Sequence, residues 1–319
     1  MALRGKTAFW RVWVAQAISV SGDGMHRAAL LWWAASTRSI GAVAVLALCS
    51  MVPLIACSPF AGVLADRMSR RRLMAGADGL RVVTSIALAA AVMGDGSPLW
   101  IVAALTSLAA VGEAAFAPAF TASLTQLLPE GDRASGNALN LANTAAGGLL
   151  GPSLGGLLVA VLGPASVLAL DAVTFLVSAA LIATTTIPAI ATGSVDATSA
   201  PDDRERGWRI VMRTPQIRRL AVLASVLNLC TGPTSVLLVA LVVDRLRSGS
   251  AVYGLLDACV AGGMLAGVVV VPRLARRSSD RSLLGGLVLL GAAFVAMGIV
   301  PHPLWSAAMF VIVGVGVAV

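Results

Sequence analysis

An apolar run closing on Gly62-Val63-Leu64-Ala65-Asp66 breaks into Arg67-Met68-Ser69-Arg70-Arg71-Arg72 and gives way at once to a second apolar run. That pattern is a membrane hairpin. Arginine is costly in hydrocarbon and is retained on the cytoplasmic side, so four arginines in so short a turn orient both neighbouring helices. Further runs of about 20 apolar residues recur along the chain, the length that spans a ~30 Å hydrocarbon core. With 58% hydrophobic and 12% charged residues and a mean hydropathy of +0.90, the chain has too little polar surface to face water all round. The fold class read from this is an all-α polytopic membrane protein.

The sequence pI near 10.8 would suit a nucleic-acid binder only if its basic residues shared a soluble face. They lie instead in loops. With a cytoplasmic N-terminus, 18 of the 23 Lys and Arg fall inside and only Arg38, Arg245 and Arg247 outside, leaving Arg27 and Arg81 within the membrane. The expected location is therefore the cell membrane, multi-pass, with lipid as the surrounding partner and no nucleic acid. Cys49, Cys57, Cys230 and Cys259 each sit alone in an apolar run, without metal-ligand spacing, and read as small buried hydrophobes. No metal or cofactor is expected.

Periodicity predicts helices at about 9–35, 40–65 and 73–93, a fourth from the Gly94–Pro98 turn through Glu113 and Pro118, then 135–162, 165–187, 217–243, 251–271, 283–299 and one from Leu304 onward. Gln16, Ser19, Asp23 and Arg27 share a face of the first helix, which must look onto a cavity or other helices. Asp78 and Arg81, three apart, pair on one face. Gly147, Gly151 and Gly155, four apart, allow a neighbouring helix to approach closely, and Pro152 between them removes a backbone donor. The polar segment from Ala189 is read as a linker, dividing the chain into a six-helix half at 1–188, a linker at 189–215 and an incomplete half at 216–319. The last span is still apolar at Val319, so the chain reads as a shortened form with its second half ending after about ten helices.

A first half of six helices, a linker and a second half that starts again in the same orientation resemble the two-repeat plan of the major facilitator transporters. Gly62-x-x-x-Asp66-Arg67-x-x-Arg70-Arg71 is similar to that family's signature between helices 2 and 3, and Gly147-x-x-x-Gly151-Pro152-x-x-Gly155-Gly156 to its antiporter-associated signature in helix 5. Gly267 with Arg273, Arg276 and Arg277 resembles a degenerate repeat of the first motif. Asp171-Ala172-Val173-Thr174-Phe175 and Tyr253-Gly254-Leu255-Leu256 resemble the branch of siderophore (enterobactin) and macrolide exporters.

The resemblance implies a major facilitator fold and a secondary active transporter, not an enzyme, coupling efflux of a small amphiphilic drug or siderophore to a proton gradient as a monomeric antiporter. It implies a latch at Gly62, Asp66, Arg67, Arg70 and Arg71, and a cavity lined by Gln16, Asp23, Glu113, Asn228 and Trp305. Glu113 stands where related drug exporters carry an arginine. With no cation within four residues it is the favoured proton carrier. Counting ~1.5 Å per residue from Phe9 and from Pro98 sets Asp23 and Glu113 at different depths, too far apart to share a proton, and brings Asp171 level with Asp23. Asp23 then either joins Arg27 and Asp171 in a buried structural triad or serves coupling itself. On the same count His26 and His302 lie near the outer interface without a role. The alternative to transport is a membrane-embedded subunit or remnant with a structural or partner-binding role.

Overall fold

The computed structural model describes residues 7–94, 96–187, 212–219, 222, 234–274, 279–300 and 302–318. The helices are α1 (Thr7–Thr37), α2 (Ile40–Arg67), α3 (Arg70–Met93), α4 (Leu99–Leu127), α5 (Arg133–Leu162), α6 (Pro164–Ala183), α7 (Thr234–Ala240), α8 (Ser250–Leu274), α9 (Ser279–Ile299) and α10 (Pro303–Ala318). A π-helical turn, Leu241–Arg245, follows α7. Residues 1–188 and 236–319 make up one compact unit, and residues 189–235 a second, small one in which 215–219 are helical.

Among the described residues six helices are long and apolar enough to cross a bilayer: α2 to α6 and the stretch Ser250–Gly267 of α8. The first helix is longer than any of them. At 31 residues α1 reaches about 46 Å, and it falls short of that apolar standard because Arg11, Asp23 and Arg27 interrupt it. Its charge is tolerated because α5 and α6 pack against it along much of its length.

Local chemistry sets the helix ends. Ser39 Oγ accepts from Ala42 N (3.2 Å) to cap α2, and Ser69 Oγ accepts from Arg72 N (3.4 Å) to start α3 inside the arginine turn, three residues before the expected start. α6 ends at Ala183 rather than at the expected Ile187. The Thr185 hydroxyl bonds back to Leu181 O (2.7 Å), the acceptor its own N–H would use in another helical turn, and that N–H donates to Ile182 O (3.0 Å) instead.

Two apolar clusters lie at opposite ends of the bundle. Near the α1 N-terminus and the α2–α3 turn, Phe9, Val12, Met74, Phe120, Leu124 and Ile182 pack together. Toward the α1–α2 and α5–α6 turns, Leu30, Trp33, Leu46, Leu88, Val102 and Leu168 form the other. We call these the near and far ends. The buried polar side chains of α1, α3 and α6 lie in the layer between them.

α5 docks through its glycines. A Cβ on Gly151 would stand 2.7 Å from Gly24 Cα and from Ser21 O, so α1 and α5 cross with backbone against backbone. One turn on, a Cβ on Gly156 would stand 2.6 Å from Gly254 Cα, which brings α8 onto the same helix. Gly263 and Gly314 join α8 to α10 in the same manner.

Candidate functional site

Arg81, at the middle of α3, is the hub of the polar layer and 4% exposed. Its guanidinium pairs with Asp23 of α1, lies 3.7 Å from Asp78 Oδ1 one turn back, and donates to Ser19 Oγ at 3.4 Å. Its plane sits 3.9 Å from the centroid of the Phe175 ring of α6. Glycine makes the space. A Cβ on Gly112 of α4 would come within 2.8 Å of Arg81 Cγ, so the side chain can lie against α4 only because that residue has none.

A second group surrounds Asp171 of α6, which is fully buried. Its Oδ2 accepts from Ser85 Oγ (2.9 Å) and contacts His26 Nδ1 (2.8 Å). Asp78 Oδ2 likewise accepts from Ser178 (2.6 Å). These distances revise the triad: Asp23 and Asp171 both find partners, but those are Arg81 and His26, and Arg27 is bonded to neither.

Two cavities meet this layer from opposite ends. The near cavity, about 300 Å³, reaches toward Gln16, Phe116 and Thr144, and the far one, about 80 Å³, toward Leu30, Leu31 and Thr106. Asp23, Arg27, Arg81 and Glu113 border both. The near cavity has the volume of a small-ligand pocket, whereas the far one holds a few waters at most. Pro152 cannot donate to the Gly148 carbonyl, and both residues line the near cavity, adding a backbone acceptor to its wall. Gln16 Oε1 is buried without a partner in the same region.

Asp23 and Glu113 are therefore neighbours, contrary to the depths counted from the helix ends. α1 and α4, at 31 and 29 residues, overshoot the roughly 20 needed to span, so an end is a poor origin. Counted from the helix middles, Asp23, Arg81 and Glu113 each fall at or next to the midpoint and share one level. Glu113, without a cation nearby in sequence, thus has Arg81 beside it in space. The same misplacement hid His26, which lines the far cavity rather than the membrane interface.

Other expected site residues lie elsewhere. Trp305 of α10 lines neither cavity; its Nε1 donates to Ala296 O of α9 (2.9 Å), an interhelical tie. His302 Nδ1 accepts from Leu304 N (3.2 Å) at the start of α10. Asn228, the side chain of Asp66 and those of Arg273, Arg276 and Arg277 lie outside the described residues. In the arginine turn, Gly62 has open space around it, Arg67 and Arg71 are exposed, and Arg70 Nη1 donates to Ala122 O of α4 at 2.6 Å. Arg70→Ala is expected to cost about 2 kcal/mol, the range of a charge-assisted hydrogen bond, read as a lower unfolding midpoint in detergent.

Glycine-paired helices around a mid-depth charged layer invite comparison with membrane carriers, and the sequence model of the Major Facilitator Superfamily matches residues 12–319. The chain belongs to that superfamily. Its fold agrees: a bacterial homologue of the human lysosomal transporter Spinster, solved inward-facing and unoccupied, superposes with a TM-score of 0.71 at 15% identity, over 99% of this chain and 73% of that one. The nucleoside transporter NupG, in a mutant form, gives 0.70 at 12% identity, over 98% of this chain and 80% of the other. Macrolide efflux protein A of Streptococcus pyogenes is 28% identical over 128 residues, 39% of this chain and 31% of that protein. The shared stretch is thus about a third of the macrolide protein's length.

Proposed function

We propose that this major facilitator protein is a secondary transporter that exports a small amphiphilic molecule, of the drug or siderophore kind, in exchange for protons. The observation that carries the proposal is the four-residue wall of Asp23, Arg27, Arg81 and Glu113, bordered by a cavity from each end of the bundle. A carrier that alternates its access needs a binding layer reachable in turn from either side, placed near the bilayer midplane. The partial likeness to a macrolide efflux protein supports the direction and the amphiphilic class.

Charge balance supports the proton. Four carboxylates of the first six helices, Asp23, Asp78, Glu113 and Asp171, face two guanidiniums, Arg27 and Arg81. The layer holds more acid than base, and a proton or a cationic group relieves the excess. Both acids border the two cavities, but Asp23 is ion-paired to Arg81 whereas no hydrogen bond or ion pair holds Glu113 among the described residues, so Glu113 takes up and releases the coupling proton. The substrate sits in the larger near cavity against Phe116 and Ala117, with Gln16 and Thr144 as polar contacts. By the positive-inside rule the near end faces the cytoplasm, in the cell membrane, with 189–215 as the linker between halves. The arginine turn at that end acts as the latch, closed onto α4 by Arg70.

Glu113→Gln keeps the shape of the side chain and removes its charge. It is expected to abolish efflux driven by a pH gradient in proteoliposomes while the purified protein keeps its gel-filtration profile. Unchanged transport with unchanged pH dependence would remove Glu113 from the coupling role.

A further inference from the structure

We infer that His26 is a second proton carrier of this cavity system, admitting protons from the far cavity with Asp171 as its buried counter-charge. The inference rests on the reading of the protein as a proton-coupled carrier.

The hydrogen-bond geometry assigns the ring. Asp171 Oδ2 already accepts the Ser85 hydroxyl, as an ionised carboxylate does, while the Thr174 hydroxyl donates to the Asp171 main-chain carbonyl (2.7 Å). His26 Nδ1, 2.8 Å from the same Oδ2, therefore donates, and Nε2 carries the lone pair. Among the described residues Nε2 has no hydrogen-bond partner, and it is not among the buried polar atoms left unpaired. The side chain is 15% exposed and lines the far cavity, so Nε2 opens on that space. An imidazole held only for its shape would have no need of a basic nitrogen on the cavity and a buried carboxylate behind it.

The surroundings suit proton uptake. Asp23 and Arg27 flank His26 on its own helix; α3 contributes Asp78 and Arg81, α4 contributes Glu113 and α6 Asp171. The neighbouring part of α2 contributes Ser50, and the facing part of α5 contributes Gly151 and Pro152, both without charge. On α8, Asp257 interacts with Arg27. Of the two cations among these, Arg81 is engaged by Asp23 and Asp78, and Arg27 by Asp257 at a distance. In the transfer an O–H bond of a hydrated proton in the cavity breaks as an N–H bond forms at Nε2, leaving neutral water behind. The imidazolium is balanced by Asp171, and after the change of access the N–H bond breaks and the proton passes to water on the opposite side, alongside the proton that Glu113 releases. A carrier built this way moves one more proton per cycle than Glu113 alone supplies.

The test is the number of protons moved per substrate in proteoliposomes of the full chain, using a radiolabelled macrolide and, as second probe, ethidium, with an entrapped pH-sensitive dye. His26→Asn places an amide N–H where Nδ1–H was, keeping the bond to Asp171 while removing Nε2. The expected result is a ratio lower by one proton than the unmodified protein. A structural role would slow both fluxes together and leave the ratio unchanged, which would overturn the inference. Should His26→Asn carry no flux, Asp171→Asn decides, because it retains His26 and Ser85 contacts without the counter-charge. A lowered ratio in that variant supports the inference and an unchanged ratio overturns it. If the unmodified protein moves neither probe, or moves them without protons, the proposed antiport itself fails, an outcome separate from an unchanged ratio in the variants.

Discussion

Replacing Arg81 by methionine is expected to destabilise the bundle by about 3–5 kcal/mol, the cost of breaking a buried ion pair from one side. Methionine fills much of the same volume and rests against Phe175, so packing is largely kept. What is lost is the partner of two carboxylates at once: Asp23, and Asp78, which is fully buried and whose Oδ1 has no hydrogen bond. The measurement is reversible unfolding in mixed micelles. If the loss comes from stranded acids, adding Asp23→Asn and Asp78→Asn to Arg81→Met recovers part of it. A single replacement costing no more than an ordinary surface change would show that these acids carry no charge in the native protein.

The second large effect is expected at Gly151. A leucine there would drive its side chain into the backbone of Gly24 and Ser21, where no rotamer can yield, and the cost is expected to reach about 3 kcal/mol or more. The result should be loss of monodisperse protein after extraction. Gly62→Ala is the matched comparison, since nothing lies within 4 Å of that position and the fold should tolerate it. If Gly151→Leu is tolerated as easily, the α1–α5 crossing is looser than described. The contrast separates two glycines that a motif weighs alike: one is required by packing, and any requirement at the other comes from movement between states.

Much of the fold was legible because membrane helices announce themselves by length and hydropathy. The apolar runs read at 40–65, after the Gly94–Pro98 turn and at 251–271 appear as α2 (Ile40–Arg67), α4 (Leu99–Leu127) and α8 (Ser250–Leu274). Gly147, Gly151 and Gly155 were legible as a packing face for the same reason, since spacing four on a helix fixes a face without knowledge of the partner. That the partners are Gly24 of α1 and, for Gly156, Gly254 of α8 was not, because it depends on which helices become neighbours.

The site was legible in its parts and not in its pairing. Gln16, Ser19, Asp23 and Arg27 were read as a cavity face, and Gln16, Asp23 and Arg27 line the near cavity. The wrong origin for depth then parted Asp23 from Glu113 and dismissed His26. Arg81 was recognised only in its local pair with Asp78, since an i, i+3 neighbour can be read from one helix and a partner 58 residues away cannot. Gly112 and Phe175, which seat Arg81, carry no polar signal at all.

The meeting of two cavities at one charged layer also bears on electricity. Where aqueous space enters from each end, the insulating thickness of the protein shrinks to the layer between, and the transmembrane voltage falls mainly there. A charge that shifts across Asp23, Arg81 and Glu113 would then feel much of the potential in a single short step, worth about 2.3 kcal/mol per elementary charge at 100 mV if the whole of it is crossed. In the proposed exchange cycle, the same geometry that would let a proton change sides would also make its passage responsive to membrane voltage.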